Sequence, residues 1–335
     1  MFKRRSRPLF PGDEFVGFII QKTGIEKPLL VKRDVLLHAI LRELYGEERF
    51  HGRYLFKGGT CLIKCYLGYY RFSVDLDFTF PLRGRLSRSE RRKLISSEVR
   101  WLSEKLSHIA EEFGLDFRPF EGKAYNRDFV HFEGNENRKI VFFHLFMPTG
   151  EVVKIEVNFF EPVLFGERKV QPRTLLEGVK LENEERAYFF EELERYTTFP
   201  LTAYSPEEIL AEKIRAILTR RVQKLRDFYD VFMLYMAGYD YSDVIDEALE
   251  KIRFSMRFSP ERTIENLRVN LESIQNGRFN VAPELMENEL KLVLTKPPES
   301  EFQEFMNNFL KVLSEIDFDK ILRKQKGPNR LISEI

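Results

Sequence analysis

Asp75 and Asp77 stand two apart in Phe72-Ser-Val-Asp-Leu-Asp-Phe-Thr-Phe80, a stretch that alternates without a break. Phe72, Val74, Leu76, Phe78 and Phe80 fall on one side, and Ser73, Asp75, Asp77 and Thr79 on the other, which is the period of a β-strand. Both carboxylates therefore leave the same face, and their repulsion has to be answered by a cation or by Arg or Lys. Hard oxygen ligands in so small a number suit Mg²⁺, which takes its remaining ligands from water and phosphate. The apolar side of the strand seats on a core and gives the acids a rigid platform. Alone, such a pair is more often the solvated side of an ordinary strand.

The segment before it changes that balance. Tyr54-Leu-Phe-Lys-Gly-Gly-Thr60 reads as a short strand running through Lys57 into Gly58, Gly59 and Thr60, with a helix from Cys61 to Leu67. Backbone N–H groups at such a junction attract phosphate, and Thr60 adds a hydroxyl. Ser73 shares the face of Asp75. Glu156 alternates with apolar neighbours in a further strand, Val152–Phe160; it has the type and setting of a third acid, able to bind a metal or to accept a proton. A solvated strand glutamate is nearly as common.

Further on, Lys213 sits in an apolar helical stripe with Ile209, Leu210, Ile214 and Ile217. It either snorkels out or enters a polar cavity, where it would neutralise a triphosphate. Asp227 and Asp230 share one side of a helix, the ordinary alternative being an Arg226–Asp230 ion pair. Two basic stretches adjoin these segments: Arg83, Arg85, Arg88, Arg91, Arg92 and Lys93, then Arg215, Arg220, Arg221, Lys224 and Arg226. Most such runs are solvated helix faces. Their position next to the acids points to a polyanionic acceptor such as RNA.

The elements that must hold these residues follow from pattern. Val31–Tyr45 carries apolar residues at helical spacing, with His38 as a structural residue inside it, and Arg88–Leu106 reads as a basic amphipathic helix. Ile140–Met147 and Val152–Phe160 flank Pro148-Thr-Gly150 and predict an antiparallel hairpin. From Ser205 the pattern is helical throughout, opening on Ser205-Pro-Glu-Glu208, the signature of a capping box. The expectation is an α+β chain: an α/β domain over 1–200 with the boundary in a loop-rich stretch between Glu161 and Tyr204, then a helical domain over 201–335. The 335-residue length fits two domains. At 43% hydrophobic and 32% charged residues, with 32 Phe and 13 Tyr, the chain has ample material for cores. Lys and Arg (54) nearly cancel Asp and Glu (53), so only the distribution of charge is informative. Cys61 and Cys65 read as small buried side chains, not as a disulfide or zinc set. No repeat or low-complexity tract is present. The basic Met1–Pro11 stretch leads into no apolar segment of signal-peptide length, and runs such as Val231–Ala237 fall far short of the roughly 20 residues that span a bilayer. A cytoplasmic protein without membrane association is expected.

Together these motifs resemble the AbiEii/AbiGii toxin family of the DNA polymerase β-like nucleotidyltransferase superfamily. The residues that carry the resemblance are Phe56-Lys-Gly-Gly-Thr-Cys-Leu62, Arg71-Phe-Ser-Val-Asp-Leu-Asp-Phe78, Ile155-Glu-Val157, Glu212-Lys-Ile214 and Arg226-Asp-Phe-Tyr-Asp230. The resemblance implies a mixed-sheet nucleotidyltransferase domain and a helical C-terminal domain. It implies NTP as substrate with Mg²⁺, and a toxin–antitoxin role with a cognate antitoxin in phage defence. Transfer to the acceptor end of tRNA is the activity known in the family. By position it makes Asp75 and Asp77 metal ligands, and Lys213 with either Asp227 or Asp230 supporting catalytic residues. The resulting expectation is a two-metal site on Asp75, Asp77 and Glu156. The NTP is held by Lys57, Gly58, Gly59, Thr60, Arg71, Ser73 and Lys213. One rival keeps this site but uses a protein or small molecule as acceptor. Another is a catalytically degenerate NTP-binding protein, against which the intact set of acids speaks.

Overall fold

The computed structural model describes residues 10–323 except 83, 85, 135–138, 258 and 279–282. They divide into two compact units. One comprises the described residues up to Glu161 together with Glu167–Ala203, the other Pro162–Gly166 with the described residues from Tyr204 onward.

The first unit opens with helices α1 (Asp13–Thr23), α2 (Pro28–Tyr45) and the short α3 (Glu48–His51). Strand β1 (Leu55–Lys57) passes directly into α4 (Gly58–Cys61), which widens into a π-turn over Leu62–Leu67. After β2 (Asp75–Thr79) comes α5 (Arg88–Phe113), then the small hairpin β3 (Phe120–Glu121) and β4 (Ala124–Tyr125). Strands β5 (Val130–Glu133), β6 (Ile140–Phe146), β7 (Val152–Asn158) and β8 (Glu167–Val170) follow. Helices α6 (Asn183–Tyr188) and α7 (Phe190–Arg195) lead to β9 (Leu201–Tyr204).

Seven strands form one sheet in the order β5-β6-β7-β2-β1-β9-β8. The sheet is mixed: β2 pairs antiparallel with β1 and parallel with β7, and β6 and β7 form an antiparallel hairpin. Gly150, at φ +90°, makes the turn of that hairpin in a conformation that side chains avoid. Alternation puts Leu76 and Phe78 on one face with Phe56, Ile155, Val157, Val141 and Phe143, all of them buried. Helices α2 and α5 cover that face. Phe50 stands edge-on to Phe78 at 5.0 Å and stacks on Tyr54 at 4.2 Å. Burying rings of this size is the main stabilising term of the sheet, about 2 kcal/mol or more for each fully buried side chain. The opposite face is thereby left to the polar residues of the same strands.

The second unit is helical: α8 (Pro206–Thr219), α9 (Leu225–Met236), α10 (Ile245–Met256), α11 (Pro260–Gln275), α12 (Pro283–Leu290), α13 (Glu299–Ser314) and α14 (Phe318–Arg323). Helix α8 packs on α9, α10 and α11. Phe232 of α9 meets Phe302 and Phe305 of α13 at 5.2 and 5.3 Å, so aromatic contacts close the far side of α9. Ser205 caps α8 as its sequence predicts, its hydroxyl accepting from the Glu208 N–H. The box is only half formed. The Glu208 carboxylate instead accepts from the N–H groups of Leu164 and Phe165, at 2.7 Å each, and pairs with Lys251. A complete box occurs at the start of α5, between Ser87 and Glu90. Among the described residues no helix is long and apolar enough to cross a membrane.

Candidate active site

With Leu76 and Phe78 fixed in the core, Asp75 and Asp77 leave the opposite face of β2, both partly exposed. The register sets their neighbours. Asp77 lies between Lys57 of β1 and Glu156 of β7, and Asp75 lies beside Lys154, which is followed on β6 by His144. The three acids expected to form a site are thus on one sheet face, with Asp77 and Glu156 side by side. Burial pushes the Glu156 carboxyl above its ordinary pKa, and the neighbouring Asp77 charge adds to this, while Lys57 and Lys154 pull the other way. The Lys154 ammonium is 3.6 Å from Glu156 Oε2. Lys57 is buried and committed to Glu161, its Nζ 2.6 Å from Oε2, an oxygen that also accepts from Asn158 Nδ2 at 3.1 Å. It serves the site as a counter-charge beside Asp77.

The two glycines are required by what stands over them. Gly58 adopts φ +76°, and a β-carbon there would lie 2.2 Å from Asp77 Oδ2. A β-carbon on Gly59 would lie 2.6 Å from Arg71 Nη2 and 3.2 Å from Ser73 Oγ. Only glycine lets this turn approach the side chains so closely. Arg71, Ser73 and Asp77 are thereby gathered at one short backbone segment. The Thr60 hydroxyl donates to the Asp75 carbonyl at 2.5 Å, tying α4 to the acid-bearing strand.

Among the described residues no three His, Cys, Asp or Glu side chains are already arranged as a metal cluster. The donor set nevertheless fits a hard cation of the Mg²⁺ type, which is commonly held by one or two carboxylates and completed by phosphate oxygens and water. Asp75 and Asp77 share a face, Glu156 adjoins Asp77, and Asp77 is turned onto the glycine segment where phosphate would approach.

In the second unit Lys213 of α8 is buried between the two aspartates of α9. Its Nζ lies 2.8 Å from Asp227 Oδ1 and 2.5 Å from Asp230 Oδ2. Arg220 also donates to Asp227. Arg226 pairs with Glu289, at 3.6 Å, so Asp230 is answered by Lys213 rather than by its helical neighbour. The expected second basic stretch is largely neutralised in the same way: Arg215 pairs with Glu212, Arg220 with Asp227 and Arg226 with Glu289. In the first stretch Arg88, Arg92 and Lys93 are exposed and Arg91 half-buried at the start of α5, whereas Arg83 and Arg85 lie outside the described residues. The pattern pointed to neither Lys154 as a contributor to the acid face nor Glu161 as the partner of Lys57. Lys154 was findable, since strand alternation puts it on the face of Glu156; Glu161 lies just past the strand, where no periodicity marks it.

A mixed sheet that carries paired aspartates beside a Gly-Gly turn, followed by a helical unit with a buried Lys–Asp set, is the arrangement of a nucleotidyltransferase. The family model described as "Nucleotidyl transferase AbiEii toxin, Type IV TA system" matches residues 39–324. The chain belongs to this family, the nucleotidyltransferase toxins of toxin–antitoxin systems. No curated protein sequence matches it. Among solved structures it is similar to an antigenic nucleotidyltransferase-like protein from Paracoccidioides brasiliensis, over 78% of this chain and 94% of that one. At 14% identity and a TM-score of 0.27 that likeness is too low to inform the site.

Proposed function

We propose that the chain transfers a nucleoside monophosphate from an NTP to an RNA acceptor such as a tRNA 3′ end, using Mg²⁺ held by Asp75, Asp77 and Glu156. The observation that supports this best is the gathering of these acids on the sheet face beside the Gly58–Gly59 turn, with Arg71 and Ser73 at the same turn. When bound, Mg²⁺ would offset the charge of the triphosphate and polarise the α-phosphoryl group. The protein's own residues do the rest. Gly58 and Gly59 give phosphate oxygens room against the backbone, and Arg71 with Ser73 supplies a charge and a hydroxyl there. Lys57 and Lys154 limit the repulsion among the acids. Glu156, beside Asp77 on the same face, is placed to take the proton from the acceptor hydroxyl as its oxygen attacks. That oxygen bonds to the α-phosphorus as the bond to the β-phosphate bridging oxygen breaks, and pyrophosphate leaves. Lys213, Asp227 and Asp230 are proposed as required residues by their motif. The exposed Arg88, Arg92 and Lys93 provide the charge an RNA backbone calls for. In this reading the protein works in the cytoplasm, where tRNA and NTP meet and where an antitoxin restrains it.

The test is incubation with each labelled NTP, Mg²⁺ and total tRNA. The expected product is tRNA carrying label in the α-phosphate position, formed only with divalent metal. Label in protein or a small molecule but not in RNA would overturn the acceptor assignment. No labelled product from any of these would favour a nucleotide-binding protein without transferase chemistry.

A further inference from the structure

Asp34, in the middle of α2, is 3% exposed, and three donors converge on its carboxylate. Lys64 Nζ lies 2.8 Å from Oδ1, while the hydroxyls of Tyr69 and Tyr196 donate to Oδ2 at 2.9 and 2.6 Å. Lys64 also donates to the Tyr69 hydroxyl, at 2.7 Å. Burial pushes both phenols well above their ordinary pKa, so they remain protonated donors. The Tyr196 hydroxyl in turn accepts from the Leu175 N–H at 2.9 Å, and the Lys64 carbonyl accepts from the Arg173 N–H at 2.7 Å. A buried ion pair is a poor device for stability alone, because desolvation offsets most of its attraction; its best-attested use is to fix a register.

What this one fixes is the connection between the glycine turn and the acid strand. Lys64 belongs to the π-turn Leu62–Leu67, an irregularity that recurs at functional sites. Gly68, at φ +78°, ends that turn, and Tyr69 stands two residues before Arg71. Arg71 is buried, its guanidinium 5.7 Å over the Tyr70 ring and donating to the Phe72 carbonyl at 2.8 Å. The chain from Tyr69 to Ser73 is thus pinned at one end by Asp34 and laid against Gly59 at the other.

We propose that Asp34, Lys64 and Tyr69 are positioning residues, a buried latch that sets Arg71 and Ser73 over the Gly58–Gly59 turn and so governs affinity for the nucleotide. The latch rests on the assignment of Arg71 and Ser73 to nucleotide binding made above. It touches no reacting group, so it acts on the KM for NTP and not on kcat.

The experiment measures KM and kcat for NTP in Tyr69→Phe, Arg71→Ala and their double variant, with Tyr54→Phe as control. Tyr54 donates to the buried Glu98 carboxylate at 2.9 Å, a bond of the same kind elsewhere in the unit. Tyr69→Phe is expected to raise the NTP KM roughly fivefold to tenfold with kcat near wild type. Tyr54→Phe should lose comparable thermal stability with KM unmoved. In the Arg71→Ala background Tyr69→Phe should add nothing, because the latch works through that side chain. Asp34→Asn, which replaces the same carboxylate with an amide of equal size, strands the buried Lys64 charge and costs stability, and must still raise KM with kcat near wild type. A raised KM in Arg71→Ala with none in Tyr69→Phe or Asp34→Asn overturns the latch and leaves the nucleotide assignment standing. An unchanged KM in Arg71→Ala removes that assignment and the latch with it. Equal rises in Tyr69→Phe and Tyr54→Phe, or additive ones in the double variant, reduce the effect to general loosening and overturn the proposal.

Discussion

Carboxylates crowd together in both units, and they are answered differently. In the second unit Asp227 and Asp230 face Lys213 and Arg220, two acids against two cations, with both aspartates and the lysine buried. On the sheet face of the first unit Asp75, Asp77 and Glu156, with Glu161 beside them, have Lys57 and Lys154 as neighbours in the strand register and its flank. Arg71 brings a further positive charge over Gly59. Balanced charges of the first kind lock helices together. Acids gathered on a rigid, partly open strand face are the setting in which a cation and a triphosphate find ligands. The same residue type therefore forms a buried ion-pair cluster in one place and an open acid face in the other.

The sharpest way to break this contrast is to remove one charge from each side. Asp75→Asn or Asp77→Asn should lower nucleotide transfer by roughly 10²–10³-fold, the scale expected when a main electrostatic element of a transition state is lost. Thermal stability without metal should hold or rise, since a repulsion is relieved. Mg²⁺ with NTP should raise the melting temperature of the wild type but not of these variants. Transfer near the wild-type rate in either variant would show that the acid face is not the site.

The second unit should respond in the opposite sense. Lys213→Met removes the buried cation that answers both aspartates and should cost about 3–5 kcal/mol of stability, read as a lower denaturant midpoint. Melting curves indistinguishable from wild type would mean that this cluster is not a structural lock. Transfer would then be the only property left for its residues to serve.

How much of this contrast was readable in advance depends on how local the deciding interactions are. The acids, the glycines and Glu156 are visible because strand alternation and a Gly-Gly turn are patterns of near neighbours. The hairpin Ile140–Phe146 to Val152–Asn158 was visible for the same reason. Boundaries were less so. The alternating stretch begins at Phe72 but the strand begins at Asp75, Ser73 lying close over Gly59 ahead of the paired residues. Strand β7 stops at Asn158 rather than Phe160, where the Asn158 side chain accepts from the N–H groups of Phe160 and Glu161 and turns the chain. The predicted helix Cys61–Leu67 is a π-turn over most of its length, pinned by the Lys64–Asp34 pair, and no local pattern announces that. The stretch from Glu161 to Tyr204, expected to be loop-rich, contains β8, α6, α7 and most of β9. Least legible were the partners. Lys57 with Glu161, Lys64 with Asp34 and Glu208 with Lys251 are far apart in sequence, and the fold alone brings them together.

The smallest effect expected is on stability at Glu156, and it tests the repulsion on the acid face directly. Burial and the Asp77 charge raise the pKa of this carboxyl above its ordinary value of 4.5, so the folded state prefers the protonated form. The sign follows from linkage: below 4.5 the group is protonated in both states and the fold carries no penalty. As the pH rises from there through the raised folded-state value, the unfolded chain releases its proton first and stability is lost. Glu156→Gln has no proton to lose, so it should be more stable than the wild type at neutral pH. The two should converge as the pH falls toward 4.5. Thermal melts of both proteins across that range, in EDTA so that no divalent ion answers the acids, provide the measurement. Adding Mg²⁺ at neutral pH should then narrow the gap, because a cation at Asp75 and Asp77 offsets the repulsion that the glutamine removes. A Glu156→Gln protein less stable than wild type at neutral pH would mean that Lys57 and Lys154 already outweigh the acids. The first unit would then be charge-balanced like the second, and the distinction between them would fail.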